Sequence, residues 1–167
     1  MMPEPTESTS VRILHSGDGV AVAEIGAVCV VIWREAVIKR RFDHQSAGLA
    51  HIVAQHPQGA GFLCVVEPSA SPPDDKLRRA SIDMVASHGE KLKCVACVIE
   101  GTGFRAAVGR SVLSGMALVF GQRKAPLSFF SSVDAATRWM KQYVELDTTR
   151  FVSSVERVRR SLDPFKA

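Results

Sequence analysis

The sequence predicts a mixed α/β domain, with a partly parallel sheet, antiparallel N-terminal strands and flanking helices. Three observations predict it. Short apolar runs of strand character alternate with stretches of helical period. An Asp-Gly turn joins the first two runs. The composition, 167 residues with 46% hydrophobic and 23% charged, suits one domain with one well-formed core.

Residues 1–10 are polar, carry two prolines together with Glu4 and Glu7, and read as a flexible tail rather than a secretory signal. A strand begins at Val11 and turns at Ser16-Gly17-Asp18-Gly19. A second runs from Val20, Gly26 breaks it, and a third runs to Trp33. The unbroken Val/Cys/Ile character of the third predicts burial on both faces.

The period then changes. Phe42, Leu49, Ile52 and Val53 recur at helical spacing until His56-Pro57. Residues 61–66 form a strand stopped by Glu67-Pro68, and residues 69–73 a loop. Asp74 and Asp75 sit where a helix start favours negative charge. Leu77, Ala80, Met84 and Val85 make that helix's apolar stripe, and Gly89 ends it. Residues 93–99 are a further buried strand, followed by Gly101-Thr102-Gly103. Phe104, Val108, Val112, Leu113 and Met116 predict a helix over 104–120, and residues 127–130 a last strand. Ser131 or Ser132 caps a helix bearing Ala136, Trp139, Met140 and Tyr143. Strands alternating with helices imply right-handed crossovers and hence parallel pairing.

Residues 147–167 are expected to stand apart from the domain of 11–146, as an amphipathic helix and tail. Phe151, Val155, Val158 and Leu162 share one face, which must be buried against the domain itself, a partner or a second copy of the chain. A partner-facing helix is the sharper expectation, and Arg157, Arg159 and Arg160 beside the stripe would suit an acidic partner or an anionic membrane surface. On that expectation, deleting 147–167 leaves the α/β core folded.

The element order resembles the STAS domain, the sulfate-transporter and anti-sigma-factor-antagonist family, whose architecture is shared with CRAL-TRIO lipid-binding modules. The resemblance covers roughly residues 11–142. It rests on Lys93-Cys94-Val95-Ala96-Cys97-Val98-Ile99-Glu100, on the helix expected from Phe104 to Phe120, on Phe129-Phe130, and on Ala135-Ala136-Thr137-Arg138-Trp139-Met140. It implies a non-enzymatic regulatory or protein-interaction module. The family's phosphorylatable Ser-Gly at the second helix start is replaced here by Ser69-Ala70-Ser71-Pro72-Pro73-Asp74-Asp75, so the standard phospho-switch is not expected. A phosphate there would meet two acids.

Candidate chemistry is sparse. Cys94-Val95-Ala96-Cys97 has redox spacing, but within a strand residues three apart point to opposite faces. Together with Cys29 and Cys64 these read as small core hydrophobes in a reducing cytoplasm, all four protected. His44 and His51 lie seven apart on one helix, with no third ligand in the pattern, so no metal is expected. Gly101, Thr102 and Gly103 read as a tight turn, with an anion or ligand loop as the alternative. Arg78-Arg79-Ala80-Ser81 resembles a basophilic kinase sequence, but Ser81 falls within the predicted helix. No nucleophile elbow or phosphate-binding loop is present, so neither catalysis nor a cofactor is expected.

A net charge of +4 is too small to argue for nucleic acid, and no apolar run reaches the length of a membrane helix. The expected working surface is the loop with Ser69, Ser71, Asp74 and Asp75, together with the Gly101–Gly103 turn. Both follow strand ends on one sheet edge, where such folds bind. A protein partner is expected, with a homodimer as a variant. The alternative is a small-ligand or lipid-binding module with a cavity under the 104–120 helix.

Overall fold

The computed structural model describes residues 10–101 and 126–164. The expected tail, apart from Ser10, and the expected helix over 104–120 lie outside the described residues.

The chain forms one six-stranded mixed sheet in sequential order: β1 (Val11–Gly17), β2 (Val20–Ile25), β3 (Val28–Trp33), β4 (Ala60–Val66), β5 (Leu92–Ile99) and β6 (Leu127–Phe130). The first three strands pair antiparallel and β3 to β6 pair parallel. Asp18 and Gly19, at φ +50° and +77°, make the two-residue turn between β1 and β2. Positive φ at both central positions matches the right-handed twist of the flanking strands, which favours Asp-Gly.

Helix α1 (Lys39–Gln55) joins β3 to β4, and α2 (Asp75–Ser87) joins β4 to β5. Asp74 caps α2 through its carboxylate, which accepts from Leu77 N at 2.8 Å. Helices α3 (Val133–Met140) and α4 (Thr148–Arg160) follow β6. They are capped by Ser132, accepting from Ala135 N at 3.2 Å, and by Asp147, accepting from Arg150 N at 2.9 Å. Helix α3 stops at Met140, so Tyr143 lies beyond it, exposed and tilted against Trp139.

Alternation along the strands divides the core. One face carries Val20, Val22, Cys29, Val31, Trp33, Phe62 and Val95 under α1 and α2. The other carries Ala21, Ala23, Val30, Ile32, Leu63, Val65, Cys94, Ala96 and Val98 under α3 and α4. Strands β2 and β3 are buried on both faces, as expected for sheets covered from both sides.

The reading of 147–167 as a separate, partner-facing segment is corrected. Phe151, Val155 and Val158 are 2%, 0% and 0% exposed within the domain's own core, and Leu162 packs on the same cluster. Alanines 21 and 23 on the facing strand β2 leave room for this helix to lie close. The stripe recurs at i, i+4 and i+7, which aims all three side chains at the sheet.

Candidate functional site at the C-terminal edge of the sheet

The parallel strands end on one edge in charged residues: Arg34 after β3, Glu67 after β4 and Glu100 after β5. Backbone bonds carry the ladder one residue past each strand, from Glu67 N to Trp33 O at 2.8 Å and from Glu100 N to Val66 O at 2.9 Å. This fixes where the two carboxylates stand.

Helix α4 brings Arg159 between them. Its Nη1 donates to Glu67 Oε2 at 2.7 Å and to Glu100 Oε1 at 2.8 Å. Arg34 Nε meets Glu67 Oε1 at 2.6 Å, and Arg34 Nη1 reaches Asp163 just past α4 at 2.8 Å. Glu156, one turn before Arg159, holds the Arg159 Nε at 3.2 Å. Glu67 is the buried centre of this network. Burial pushes its carboxyl up, but the guanidiniums of Arg34 and Arg159 outweigh that and hold it below the usual glutamate value. Burial likewise opposes the charge on Arg159, yet Glu100 and Glu67 raise its pKa on balance. Both groups are therefore fixed in their ionised forms, suited to fastening rather than to proton transfer.

The loop of residues 69–73 runs above this network. Ser69 Oγ donates to Arg34 O at 2.5 Å, and Val37 N donates to Ser71 O at 3.2 Å. Ala70 is buried beneath, while Ser69, Ser71, Pro72, Asp74 and Asp75 are exposed. Gly101, at φ +84°, lies so close that an added Cβ would stand 3.1 Å from Pro68 Cβ. The structure thus places Ser69, Ser71, Asp74, Asp75 and Gly101 along one edge; Thr102 and Gly103 lie outside the described residues.

Sequence reasoning missed Arg34, Glu67, Glu100 and Arg159. The available signal was an acid immediately after each of two consecutive buried strands. Arg159, expected to suit an acidic partner, finds its acids within its own chain.

Beside this edge, on the α1–α2 face, a cavity of about 390 Å³ opens between α2 and the sheet, walled by Trp33, Phe62, Met84, Val95 and Phe129. The Trp33 indole N–H donates to Gln45 Oε1 at 2.9 Å, which satisfies the buried amide. Ser81 borders the cavity with its hydroxyl donated back to Leu77 O, so the kinase-like sequence leads to a serine already engaged in its helix. Cys94 and Cys97 point to opposite faces, and burial pushes both thiols up to about 12. Cys29 and Cys94 are fully buried, while Cys64 and Cys97 are partly buried and border the cavity. His44 stacks on His15 at 3.6 Å between ring centres, while His51 bonds to Arg12. The described residues hold no cluster of three or more metal-ligating side chains. None of the described helices is long and apolar enough to cross a membrane.

Comparison of the chain with family models, curated proteins and solved structures finds no match.

Proposed function

We propose that this chain is a non-enzymatic interaction module of STAS-like type, which engages a protein partner through the C-terminal edge of its sheet. The observation that supports this reading is the loop of residues 69–73. Backbone and hydroxyl bonds to Arg34 and Val37 hold it in one conformation, while Ser71, Asp74 and Asp75 project outward. A loop ordered before binding loses less conformational freedom on association. The charged groups beneath it are spent on one another, and Ser69, Asp74 and Asp75 each make one bond within the chain, which leaves Ser71 and the outward carboxylate oxygens as the edge's contacts.

The test is affinity capture from the source cells with the full chain and with two charge variants. Ser71→Lys with Asp75→Lys, which spares the Asp74 cap, should abolish retention of the partner, and Lys141→Glu, remote from the edge, should leave it intact. Retention indifferent to the edge substitutions would overturn the reading.

A second reading, a small-ligand module, is favoured by the apolar cavity beside α2. Val95, Cys97 and Phe129 on its wall belong to β5 and β6, the strands that residues 102–125 connect. Native mass spectrometry of the purified protein separates the two readings: a stoichiometric apolar adduct supports the ligand module.

A further inference from the structure

We infer that Cys64 and Cys97 form a two-sulfur site for a soft monovalent metal ion, Cu(I), on the wall of the cavity beside α2. The inference is independent of the partner-binding reading.

The two cysteines are direct partners in the parallel β4–β5 ladder. Registered residues on neighbouring parallel strands project from the same face, and both of these border the cavity. Neighbouring strands lie about 4.8 Å apart. Two metal–sulfur bonds of about 2.3 Å laid end to end span about 4.6 Å. A linear S–metal–S unit therefore fits the rung of the ladder with little movement of either strand. A disulfide needs Cβ atoms about 3.8 Å apart and would have to draw the strands together. Both thiols are free.

Softness and charge narrow the ion. Among the described residues no imidazole or carboxylate joins the two sulfurs, and thiolates alone select soft ions such as Cu(I) over zinc, which wants four ligands. Each sulfur gives its proton to solvent and bonds the ion, no electron moves, and the bis-thiolate carries one net negative charge. Among the cavity's bordering residues Arg78 pairs with Asp75, which leaves Arg79 as the one uncompensated charge, a positive one. The Arg78 Nε is buried and has no hydrogen-bond partner among the described residues. The lining thus complements a singly negative complex. Because each sulfur gives up a proton as it bonds the ion, binding should strengthen as pH rises.

The experiment titrates the full chain anaerobically with Cu(I) held by a competing chelator, ascorbate keeping it reduced. One equivalent should bind. Cys64→Ser and Cys97→Ser should each weaken binding by more than about 100-fold, beyond the cost of losing an outer-shell group. Cys94→Ser, on the opposite face, and Cys29→Ser should leave affinity unchanged. X-ray absorption of the loaded wild-type protein, which needs no variant to fold, should show two sulfur neighbours and no nitrogen or oxygen. No binding above the chelator, a third scatterer, or equal loss in Cys29→Ser would overturn the site.

Discussion

The two faces of the sheet are closed in different ways. Under α3 and α4, the facing residues of β2 to β5 are buried almost completely, and the last helix adds a ring of ion pairs at the strand ends. Under α1 and α2 the cover is complete over β2 and β3. Towards β4 to β6, among the described residues, it loosens: Cys64, Val66 and Cys97 keep partial exposure beside the cavity, as does Leu127 on β6. The rigid face is thus built by the segment that sequence reasoning set apart, and the loose face by crossovers it placed correctly. Stability and accessibility are separated across a single layer of strands, so substitutions on the two sides should differ in kind as well as in size.

The largest difference should come from the last helix. Phe151→Ala removes a side chain 2% exposed and should cost about 3–5 kcal/mol, read as a lowered urea midpoint with unchanged slope. Leu77→Ala, on α2 at 9% exposure, should cost about 2 kcal/mol, the low end for such truncations, because it sits in the first turn of its helix, where the chain can relax around the loss. Deletion of residues 147–167 should abolish cooperative unfolding, the reverse of what the sequence alone suggested. Equal costs for the two truncations would break the contrast between the faces.

Why that helix was misplaced is instructive. Its period and its apolar stripe were legible, because each is a local property of the chain. The surface that receives the stripe is assembled from β1, β2 and β3, more than a hundred residues earlier, and no local pattern in 147–163 names it. The same holds for the edge network. Glu67 and Glu100 look like strand terminators, and Arg159 like one basic residue among several. Only the parallel register sets the two acids side by side at a spacing one guanidinium can bridge. The strands, the Asp18-Gly19 turn and the Asp74 cap, by contrast, were readable from composition and spacing. Their physics acts within a few residues.

A middle-sized effect should come from the network that joins the two faces at their edge. Glu67→Gln leaves Arg34 and Arg159 facing a neutral group in a mostly buried setting and should cost about 3 kcal/mol at pH 7. The pH dependence follows from the lowered pKa of Glu67. Its contribution is fully present above the ordinary value of 4.5 and is lost as pH falls through the lower value it has in the folded protein. Stability curves of the wild type and the variant should therefore run parallel from pH 8 to about 5 and converge in more acid solution. Convergence beginning near neutrality would show that the ion pairs do not hold Glu67 as described.

The smallest effects should come from the two aspartate caps, and they sharpen the comparison most directly. Asp74 and Asp147 make the same bond, a carboxylate accepting the backbone N–H three residues on, at 2.8 and 2.9 Å. Alanine at either position removes one such bond and should cost its helix about 1 kcal/mol. The chemistry is alike, so any difference in outcome reports the face to which the helix belongs. Helix α4 is locked to the sheet by Phe151, Val155, Val158 and the Arg159 bridges, so its first turn cannot fray without disturbing the core. Asp147→Ala should therefore lower global stability by nearly the full amount. Helix α2 buries only Leu77 and Val85 among its own residues, and its end can open alone. Asp74→Ala should leave the global melting temperature nearly unchanged while hydrogen exchange at Leu77 and Arg78 rises about fivefold, the kinetic equivalent of about 1 kcal/mol. If both variants lowered global stability alike, α2 would be as firmly part of the cooperative unit as α4, and the looseness of its face would be confined to the cavity wall.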